Sequence, residues 1–319
     1  MMAKQWKKAG TVMLIVGLGV FLLCPAGNSA DFPSKTVTLI VTADVGGGED
    51  TEARGIAPHF EKHLGVKVLI ENQGAAGGKI AFERFMKTKP DGYTLITYTF
   101  PKSIIIEYTE KVSFKTKEYT PVYTWSYSNQ ILAVNAETWK TFDEFLKAAR
   151  AKTLAGGVSG GHSVLGGLVA ADELGIKVNW VPFEGASGSL AALAGKHIDF
   201  MVTLSTSVIP LVEAGKLRPL ALFSNERDPF LPNVPCTKEL GIRVTPIPGI
   251  RGIEAPPGTP PAIVKVLAEA LTKAVKEPGF IEFAKKRKMD IHTLNGEEFG
   301  QEITQAYPLV EKYQKVLTR

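Results

Sequence analysis

The stretch that decides the fold is Thr36-Val37-Thr38-Leu39-Ile40-Val41-Thr42, followed closely by Val45-Gly46-Gly47-Gly48-Glu49-Asp50. The first run is almost entirely β-branched or apolar, which is typical of a parallel strand buried on both faces. After the glycines, apolar residues recur from Asp50 at helical spacing and stop at Gly65, a natural C-terminal cap. A buried strand, a glycine turn and an amphipathic helix together predict an α/β protein.

The same alternation of strands and helices continues along the chain. The further predicted strands are residues 66–71, 94–98, 130–135, 154–158, 178–181, 198–202 and 218–223. The predicted helices between them are residues 76–87, 163–174 and 187–194, together with one that begins in a capping box formed by Thr141 and Glu144. Strands that alternate with helices predict mainly parallel sheets.

Length and composition indicate a globular protein with two domains. The chain has 319 residues, and compact domains have roughly 100 to 200 residues each. Hydrophobic residues make up 45% and charged residues 22% of the chain, values that argue against disorder and coiled coil. Three lysines among residues 1–30, unopposed by any acid, account for most of the net charge of +5 and leave +2 for the rest. So small a basic excess predicts no nucleic-acid binding.

Residues 1–30 have the pattern of an export signal. Their lysines precede an apolar stretch at residues 12–23, and small residues at the end favour cleavage after Ala30. The apolar stretch is shorter than the roughly 20 residues that span a bilayer, so we expect a periplasmic protein rather than a membrane protein. Cys24 lacks the small preceding residue of a lipid-attachment site and is expected to leave with the signal, so Cys236 remains as a packed, unpaired cysteine.

The glycine loop at residues 45–50 predicts an anion site. Backbone N–H groups at a helix start bind small anions, and ligand crevices in parallel sheets lie at such helix starts. The plainer alternative is a tight turn with Asp50 as the helix cap, and the two interpretations are compatible. The dinucleotide fingerprint is not met, because Thr51 stands at the position of its third glycine, and the phosphate-binding P-loop motif is also absent.

A second glycine turn, Gly157-Val158-Ser159-Gly160-Gly161, matches the G-x-S-x-G motif of serine hydrolases. In that hypothesis Ser159 is the nucleophile, and Asp199 or Asp228 with His292 follow in the required order. The motif is short and rich in glycine, so a second anion-binding turn is the favoured interpretation. His162 is then expected to close the turn over a ligand or to cap the next helix.

Two other groups of residues are interpreted as ordinary surface. His59 and His63 lie one helical turn apart, but no further ligand completes a metal site near them. The basic run Lys285-Lys286-Arg287-Lys288 has no interleaved aromatic residues and is expected to be a solvated helix face. We therefore predict no metal and no cofactor.

Several motifs, in this order, resemble a known family. They are Phe32-Pro33-Ser34-Lys35, Gly46-Gly47-Gly48 with Asp50 and Arg54, Glu71-Asn72-Gln73-Gly74-Ala75-Ala76-Gly77-Gly78, Lys89-Pro90-Asp91-Gly92-Tyr93-Thr94-Leu95, Val181-Pro182-Phe183-Glu184-Gly185, Ala214-Gly215-Lys216-Leu217-Arg218-Pro219-Leu220-Ala221, Leu231-Pro232-Asn233-Val234-Pro235 and Ala255-Pro256-Pro257-Gly258-Thr259-Pro260. The chain resembles, over nearly all of its mature part, the periplasmic substrate-binding proteins of tripartite tricarboxylate transporters, also called Bug proteins.

The resemblance implies a two-lobed periplasmic binding protein fold that closes on a small carboxylate and passes it to membrane transporter subunits. We expect the first lobe at residues 31–124 and 247–319, with the amphipathic C-terminal helices packed on it, and the second lobe at residues 125–246. Trp125 to Tyr127 and Pro246 to Pro248 would be the crossings, and the protein would be a monomer. The ligand contacts are expected from Asp44, Val45, Gly46, Gly47, Gly48, Asp50, Phe100, Ser159, Gly160, Gly161, His162, Phe183 and Thr203.

The chain also departs from the family pattern, in ways that bear on the ligand. Asp44, Glu49 and Glu184 add negative charge near the expected cleft, and Phe183 and Thr203 also replace the usual residues. Extra acids repel further carboxylates, so a monocarboxylate or a zwitterion is expected rather than citrate. Enzyme activity is not expected. The serine hydrolase and a ligand-sensing receptor without a transport role remain the alternatives.

Overall fold

The structure of the protein is a computed structural model that describes residues 32–183 and 185–317. The predicted export signal with Cys24, and also Glu184, lie outside the described residues. Within the described ranges the chain forms two five-stranded sheets flanked by helices, which confirms the predicted α/β fold class. In this part of the chain none of the helices is both long and apolar enough to cross a membrane.

The first sheet has the strand order β2-β1-β3-β10-β4. Its strands are β1 (Val37–Val41), β2 (Val68–Asn72), β3 (Thr94–Thr99), β4 (Thr120–Ser128) and β10 (Gly249–Ala255). Strand β1 pairs in parallel with β2 and β3, whereas β10 is antiparallel to both β3 and β4. The helices α1 (Gly48–Leu64), α2 (Lys79–Phe85), α3 (Lys102–Thr109), α8 (Pro261–Ala274), α9 (Pro278–Lys286) and α10 (Gly296–Leu317) belong to this half of the fold.

The second sheet repeats this arrangement with the order β7-β6-β8-β5-β9. Its strands are β5 (Gln130–Asn135), β6 (Leu154–Ser159), β7 (Val178–Phe183), β8 (Phe200–Leu204) and β9 (Leu217–Phe223). Strand β6 pairs in parallel with β7 and β8, and β5 is antiparallel to β8 and β9. The helices α4 (Phe142–Ala151), α5 (Gly160–Leu174), α6 (Ala186–Ala194) and α7 (Ser205–Glu213) accompany it.

In each sheet, the strand that runs opposite to its neighbours is the one that enters from the other sheet: β10 in the first sheet and β5 in the second. Strand β4 ends at Ser128 and β5 begins at Gln130, so a single residue, Asn129, joins the two sheets at the first crossing. The second crossing brings the chain from the segment after β9 into β10. Each sheet is therefore mixed, with two parallel and two antiparallel strand pairs, rather than mainly parallel as predicted. The starts of the helices that follow β1, β6 and β8 still lie at the carboxyl ends of parallel strands, where α/β proteins bind ligands.

Each sheet has its own apolar core, and a further cluster joins the two halves. The first core includes Phe60 and Trp125 together with Leu267 and Phe280 from the C-terminal helices. The second core is built around Phe145 and Phe200, among others. A third cluster brings Tyr98, Phe100, Ile104, Ile105, Phe299 and Ile303 together with Leu165 and Val169 of α5. This third cluster holds α3 and α10 against the second half of the protein.

The element boundaries differ from the predicted ones mainly around the crossings. Trp125 to Tyr127 lie inside β4, which continues in the first sheet to Ser128, so the lobe boundaries at residues 124 and 247 remain a prediction. Helices α3 and α7 and strands β4 and β10 were not predicted. Thr141 accepts a hydrogen bond from the N–H of Glu144 at 3.2 Å, as expected for a helix cap. Before α8, the Thr259 hydroxyl donates a hydrogen bond to the carbonyl of Pro256, and Pro260 precedes the helix.

Candidate functional site

The glycine loop before α1 is held in place by Asp50. The Asp50 carboxylate accepts hydrogen bonds from the N–H of Gly46 at 2.8 Å, from Arg54 at 2.9 Å and from Asn72 at 2.8 Å. Burial alone would raise the pKa of Asp50, but the hydrogen bonds from Arg54, Gly46 and Asn72 outweigh it and lower the pKa. Gly46 has a φ of 82°, a left-handed conformation that favours glycine. Asp50 therefore fixes the loop, and both of its carboxylate oxygens already accept hydrogen bonds from the protein.

The neighbouring acid, Glu49, points into the first half of the protein. Its carboxylate accepts hydrogen bonds from the N–H of Thr42 at 3.0 Å, from the Thr42 hydroxyl at 2.7 Å and from the Thr97 hydroxyl. The Lys102 ammonium lies 3.5 Å from it and also donates to the carbonyl of Thr42. Burial opposes ionisation, but Lys102 and these hydroxyls keep the pKa of Glu49 below its usual value. Glu49 is thus ionised, buried and paired with a cation.

A third acid, Glu52, anchors an arginine beside the glycine loop. Its carboxylate accepts hydrogen bonds from Trp125 at 3.3 Å and from Ser126 at 2.6 Å, and it forms an ion pair with Arg251 of β10. A Cβ atom added to Gly48 would lie 3.1 Å from Nη2 of Arg251, so the guanidinium is directly beside the first residue of α1. The Nε atom of Arg251 is buried and has no hydrogen-bond partner among the described residues.

Gly48, Glu52 and Arg251 line a cavity of about 300 Å³ between the two halves of the protein. The first half contributes the start of α1 and residues from β10 and from the segment after α9, and the second half contributes the start of α7. Neither helix has a side-chain cap. The N–H of Ser205, the first residue of α7, donates to the carbonyl of Asn129 at 2.9 Å, so a ligand at α7 would bind the later N–H groups of its first turn. The lining residues are Gly46, Gly48, Thr51, Glu52, Thr206, Ser207, Arg251, Arg287 and Met289.

The second glycine turn connects β6 to α5, and it does not assemble the residues of a serine hydrolase. The Ser159 hydroxyl lies 3.4 Å from the Ser189 hydroxyl. The Asp199 carboxylate accepts a hydrogen bond from Ala155 at 2.8 Å, at the opposite end of β6 from Ser159. His292 packs on the ring of Tyr127 in the first half of the protein. Ser159 therefore contacts neither the acid nor the histidine of the proposed triad.

His162 lies close to the crossing between the two halves. Gln130 donates a hydrogen bond to the His162 carbonyl at 3.2 Å, and its amide nitrogen lies 3.4 Å from Nδ1 of the ring. Burial lowers the pKa of His162 to about 4, although backbone groups of Pro248 and Ile247 favour the charged ring. The imidazole is therefore neutral at pH 7 and contributes no positive charge to the site.

The other residues expected to contact a ligand lie in three different environments. Asp44 and Val45 are exposed at the tip of the first loop, and Val45 exposes 74% of its surface. Phe100 lines a separate cavity of about 500 Å³ beside the crossing, together with Tyr127 and Pro248. Gly47 precedes α1 in the first half of the protein. The other positions lie in the second half: Gly160 is exposed, Gly161 lies against Ile105, Phe183 packs on an apolar cluster that includes Leu193 and Ile198, and Thr203 is buried in β8.

Comparison with known proteins identifies the family. The profile described as "Tripartite tricarboxylate transporter family receptor" matches residues 52–313. The curated relative named UPF0065 protein in gbd 5'region, from Cupriavidus necator, is 32% identical and covers 92% of this chain and 91% of its own length. The chain belongs to the tripartite tricarboxylate transporter receptor family. The resemblance seen in the sequence motifs is confirmed.

Solved structures of such receptors have the same fold as this receptor. A TctC solute-binding protein from Polaromonas, without ligand, is 28% identical with a TM-score of 0.79, over 88% of this chain and 99% of that one. MatC from Rhodopseudomonas palustris with bound malate is 26% identical with a TM-score of 0.69, over 88% and 100%. An R. palustris protein with adipate is 25% identical with a TM-score of 0.74, over 90% and 98%. The two-lobed binding-protein fold is thereby confirmed.

Sequence reasoning missed the positive groups of this receptor's cleft. Lys102 and Arg251 were not singled out, and the basic run after residue 284 was interpreted as solvated surface. Lys285, Lys286 and Arg287 are exposed, as expected, but Arg287 also lines the cavity, and Lys288 lies 3.3 Å from Glu213 of α7. A basic run at a helix end carries no signal of what it faces, because that depends on the tertiary fold.

The two histidines of α1 serve the packing of the receptor's C-terminal helices. The Nε2 atom of His63 lies 2.6 Å from the Glu277 carboxylate, and the His59 ring packs edge-on against Phe280. Within residues 32–183 and 185–317, no cluster of three or more His, Cys, Asp or Glu side chains could hold a metal ion. Cys236 is buried in the second half of the protein, as expected for a packed thiol.

Proposed function

We propose that this receptor is an extracytoplasmic solute-binding protein that captures a small organic acid in the cleft and delivers it to membrane transporter subunits. One observation carries the proposal: the uncapped starts of α1 and α7 line the same cavity of about 300 Å³, one from each half of the protein. Helix starts carry partial positive charge and free N–H groups, which stabilise a carboxylate. Family members of known structure with bound malate and adipate support this ligand class.

The proposal includes the location and the role of the chain. Residues 1–30 would be a cleavable export signal that directs the protein to the periplasm, and the mature protein would act as a monomer and not as an enzyme. Two observations support a binding role over a hydrolase: the Ser159 hydroxyl lies 3.4 Å from another serine hydroxyl, and Asp199 and His292 of the hypothetical triad have other partners, Ala155 and Tyr127. A serine-reactive phosphonate is therefore expected to leave the purified protein unlabelled.

A ligand screen tests the proposal directly. Thermal unfolding would be followed with mono-, di- and tricarboxylates and with amino acids as controls. A ligand that binds only the native state stabilises it by about 2.7 kcal/mol at one hundred times its dissociation constant, so a true ligand raises the midpoint clearly. Absence of any shift with all carboxylates at millimolar concentration would contradict the proposal.

A matched pair of variants locates the site. Gly48→Asp places a carboxylate at the first residue of α1, beside Arg251, where the ligand carboxylate is expected. An acid in the first turn is compatible with the helix, so the fold is retained while carboxylate binding is lost. Pro261→Asp places the same acid at the first residue of α8, outside the cavity, and is expected to bind ligand normally. Equal binding by both variants would exclude the α1 start as the site.

A further inference from the structure

The charged groups around the cavity do not cancel. Arg251 is neutralised by its ion pair with Glu52, whereas Arg287 forms no ion pair with any carboxylate among residues 32–183 and 185–317. The two acids in the first turn of α1 are each paired, Glu49 with Lys102 and Asp50 with Arg54. The net positive charge on side chains lining the cavity is therefore that of Arg287.

The two helix starts add to this charge. Each carries the equivalent of about half a positive charge, so together with Arg287 the cavity presents about two positive charges. A cavity of about 300 Å³ is at the lower end of the range for small-molecule sites, which limits the ligand to a few carbon atoms. This is the opposite of the expectation from the sequence, which counted Glu49 as a repulsive charge in the cleft.

The two arginines are placed to act on different parts of a ligand. Arg251 is fixed by Glu52 and lies beside the first residue of α1, where it can donate to a carboxylate that also binds the helix N–H groups. Arg287 comes from the segment after α9 and packs loosely over the ring of Phe283, with its guanidinium carbon 5.9 Å from the ring centroid. Arg287 is exposed, lines the cavity and has no carboxylate partner among the described residues, so its guanidinium is available to a second carboxylate of the ligand.

We propose that Arg287 is a specificity-determining residue that binds the second carboxylate of the ligand, while Arg251 positions the first carboxylate at the start of α1. The receptor then selects a short dianionic acid over the monoanion of the same shape. This inference rests on the proposed function, because it assigns roles within the same site. A charge-assisted hydrogen bond to the second carboxylate is lost when either partner is neutral. Replacing Arg287 by a neutral residue should therefore abolish the preference for the dianion.

The test compares succinate, glutarate and adipate with their monoamides, in which one carboxylate is replaced by an uncharged group of nearly the same size. Calorimetry would be run on the full mature receptor, on Arg287→Gln and on the control Lys285→Gln, which removes a charge from the same basic run at an exposed position outside the cavity. We expect the wild type and Lys285→Gln to bind the best diacid roughly 10- to 100-fold more tightly than its monoamide. We expect Arg287→Gln to lose that preference by weakening only the diacid.

Arg251 has a different signature in the same experiment. Arg251→Lys keeps the charge opposite Glu52 but loses the planar fork, so it should weaken the diacid and the monoamide by the same factor. This variant also keeps the ion pair, so a failure to fold is not the expected outcome. A change in the diacid-to-monoamide ratio in Arg251→Lys would reverse the two assigned roles and overturn the proposal.

The remaining outcomes separate this inference from the proposed function. Equal affinity of the wild type for a diacid and its monoamide would overturn the role of Arg287 but leave carboxylate binding intact. An equal loss for both compounds in Arg287→Gln would show a general electrostatic effect and would also overturn it. Binding of none of the six compounds, nor of any other carboxylate in the thermal screen, would overturn both proposals.

Discussion

Glu254 provides the sharpest test of the structure, because its carboxyl group is fully buried in the first half of the protein without a partner. The residue lies in β10, exposes 0% of its surface, and neither carboxyl oxygen has a hydrogen-bond partner in the described part of the chain. Burial, and secondarily the negative charge of Glu107, raise the pKa of Glu254 well above its usual value. The folded state therefore keeps this carboxyl group protonated to a higher pH than the unfolded state does.

The raised pKa has a definite consequence for the pH dependence of stability. The folded state holds the Glu254 proton more tightly than the unfolded state, so stability from this group is complete below the unfolded pKa of about 4.5 and falls as the pH rises toward the folded pKa. Each pH unit in that window costs about 1.4 kcal/mol, so between pH 5 and pH 8 the loss is at most about 4 kcal/mol. Glu254→Gln cannot ionise and escapes this loss.

The assay is chemical and thermal unfolding of wild type and Glu254→Gln at pH 5, 6, 7 and 8. The stability difference between the variant and the wild type should move in favour of the variant as the pH rises. The fixed cost of burying the amide, roughly 1 to 3 kcal/mol, applies at every pH and cancels in that trend. Glu118→Gln is the control, because Glu118 is exposed in the same half of the protein. A difference that stays constant from pH 5 to pH 8 would refute the reasoning.

Three further predictions concern the helix starts and the buried acids. Thr141→Ala removes the cap of α4 and should lower the free energy of unfolding by about 1 kcal/mol, whereas Thr141→Ser should not. Asp50→Asn keeps the shape of the side chain but removes the charge that holds the N–H of Gly46 and so fixes the glycine loop. Calorimetry should show weaker carboxylate binding by this variant, and the carboxylate should raise its unfolding midpoint less than that of the wild type. Lys102→Met leaves Glu49 buried without its cation and should cost about 3 kcal/mol in chemical unfolding at pH 7, less below pH 5, with Lys102→Arg close to wild type.

The parts of the fold that could be predicted are those whose sequence pattern is local. Strand β1 is buried on both faces and reads as a continuous apolar run, and α1 ends at Gly65, whose φ of 80° a glycine supplies without strain. Strand β10 was not predicted, because its sequence contains two glycines, an arginine and a glutamate. It is a strand because β3 and β4 pair with it on both sides, and that pairing is invisible in the segment itself.

The candidate site was predictable to a similar extent. The glycine loop before α1 could be recognised, because a strand, a glycine run and a helix are consecutive in the chain. Its electrostatic character could not, because the side chains that decide it come from distant segments. Glu49 is neutralised by Lys102, and Glu52 by Arg251, which lies 199 residues away in the sequence.

The charge of such a cleft is therefore a property of its pairings and not of its composition. An acid next to a ligand loop repels a carboxylate only if its own charge remains unpaired and points toward the ligand; once it holds a buried lysine or arginine, the pair contributes little at that distance. In this receptor three acids near the start of α1 are each paired with a cation, while Arg287 has no carboxylate partner within the described ranges. Counting acids in the loop predicts a monoanion, whereas counting unpaired charges predicts a dianion. Two receptors of this family with identical glycine loops should thus differ in the charge of their ligands whenever one of them lacks the arginine after α9.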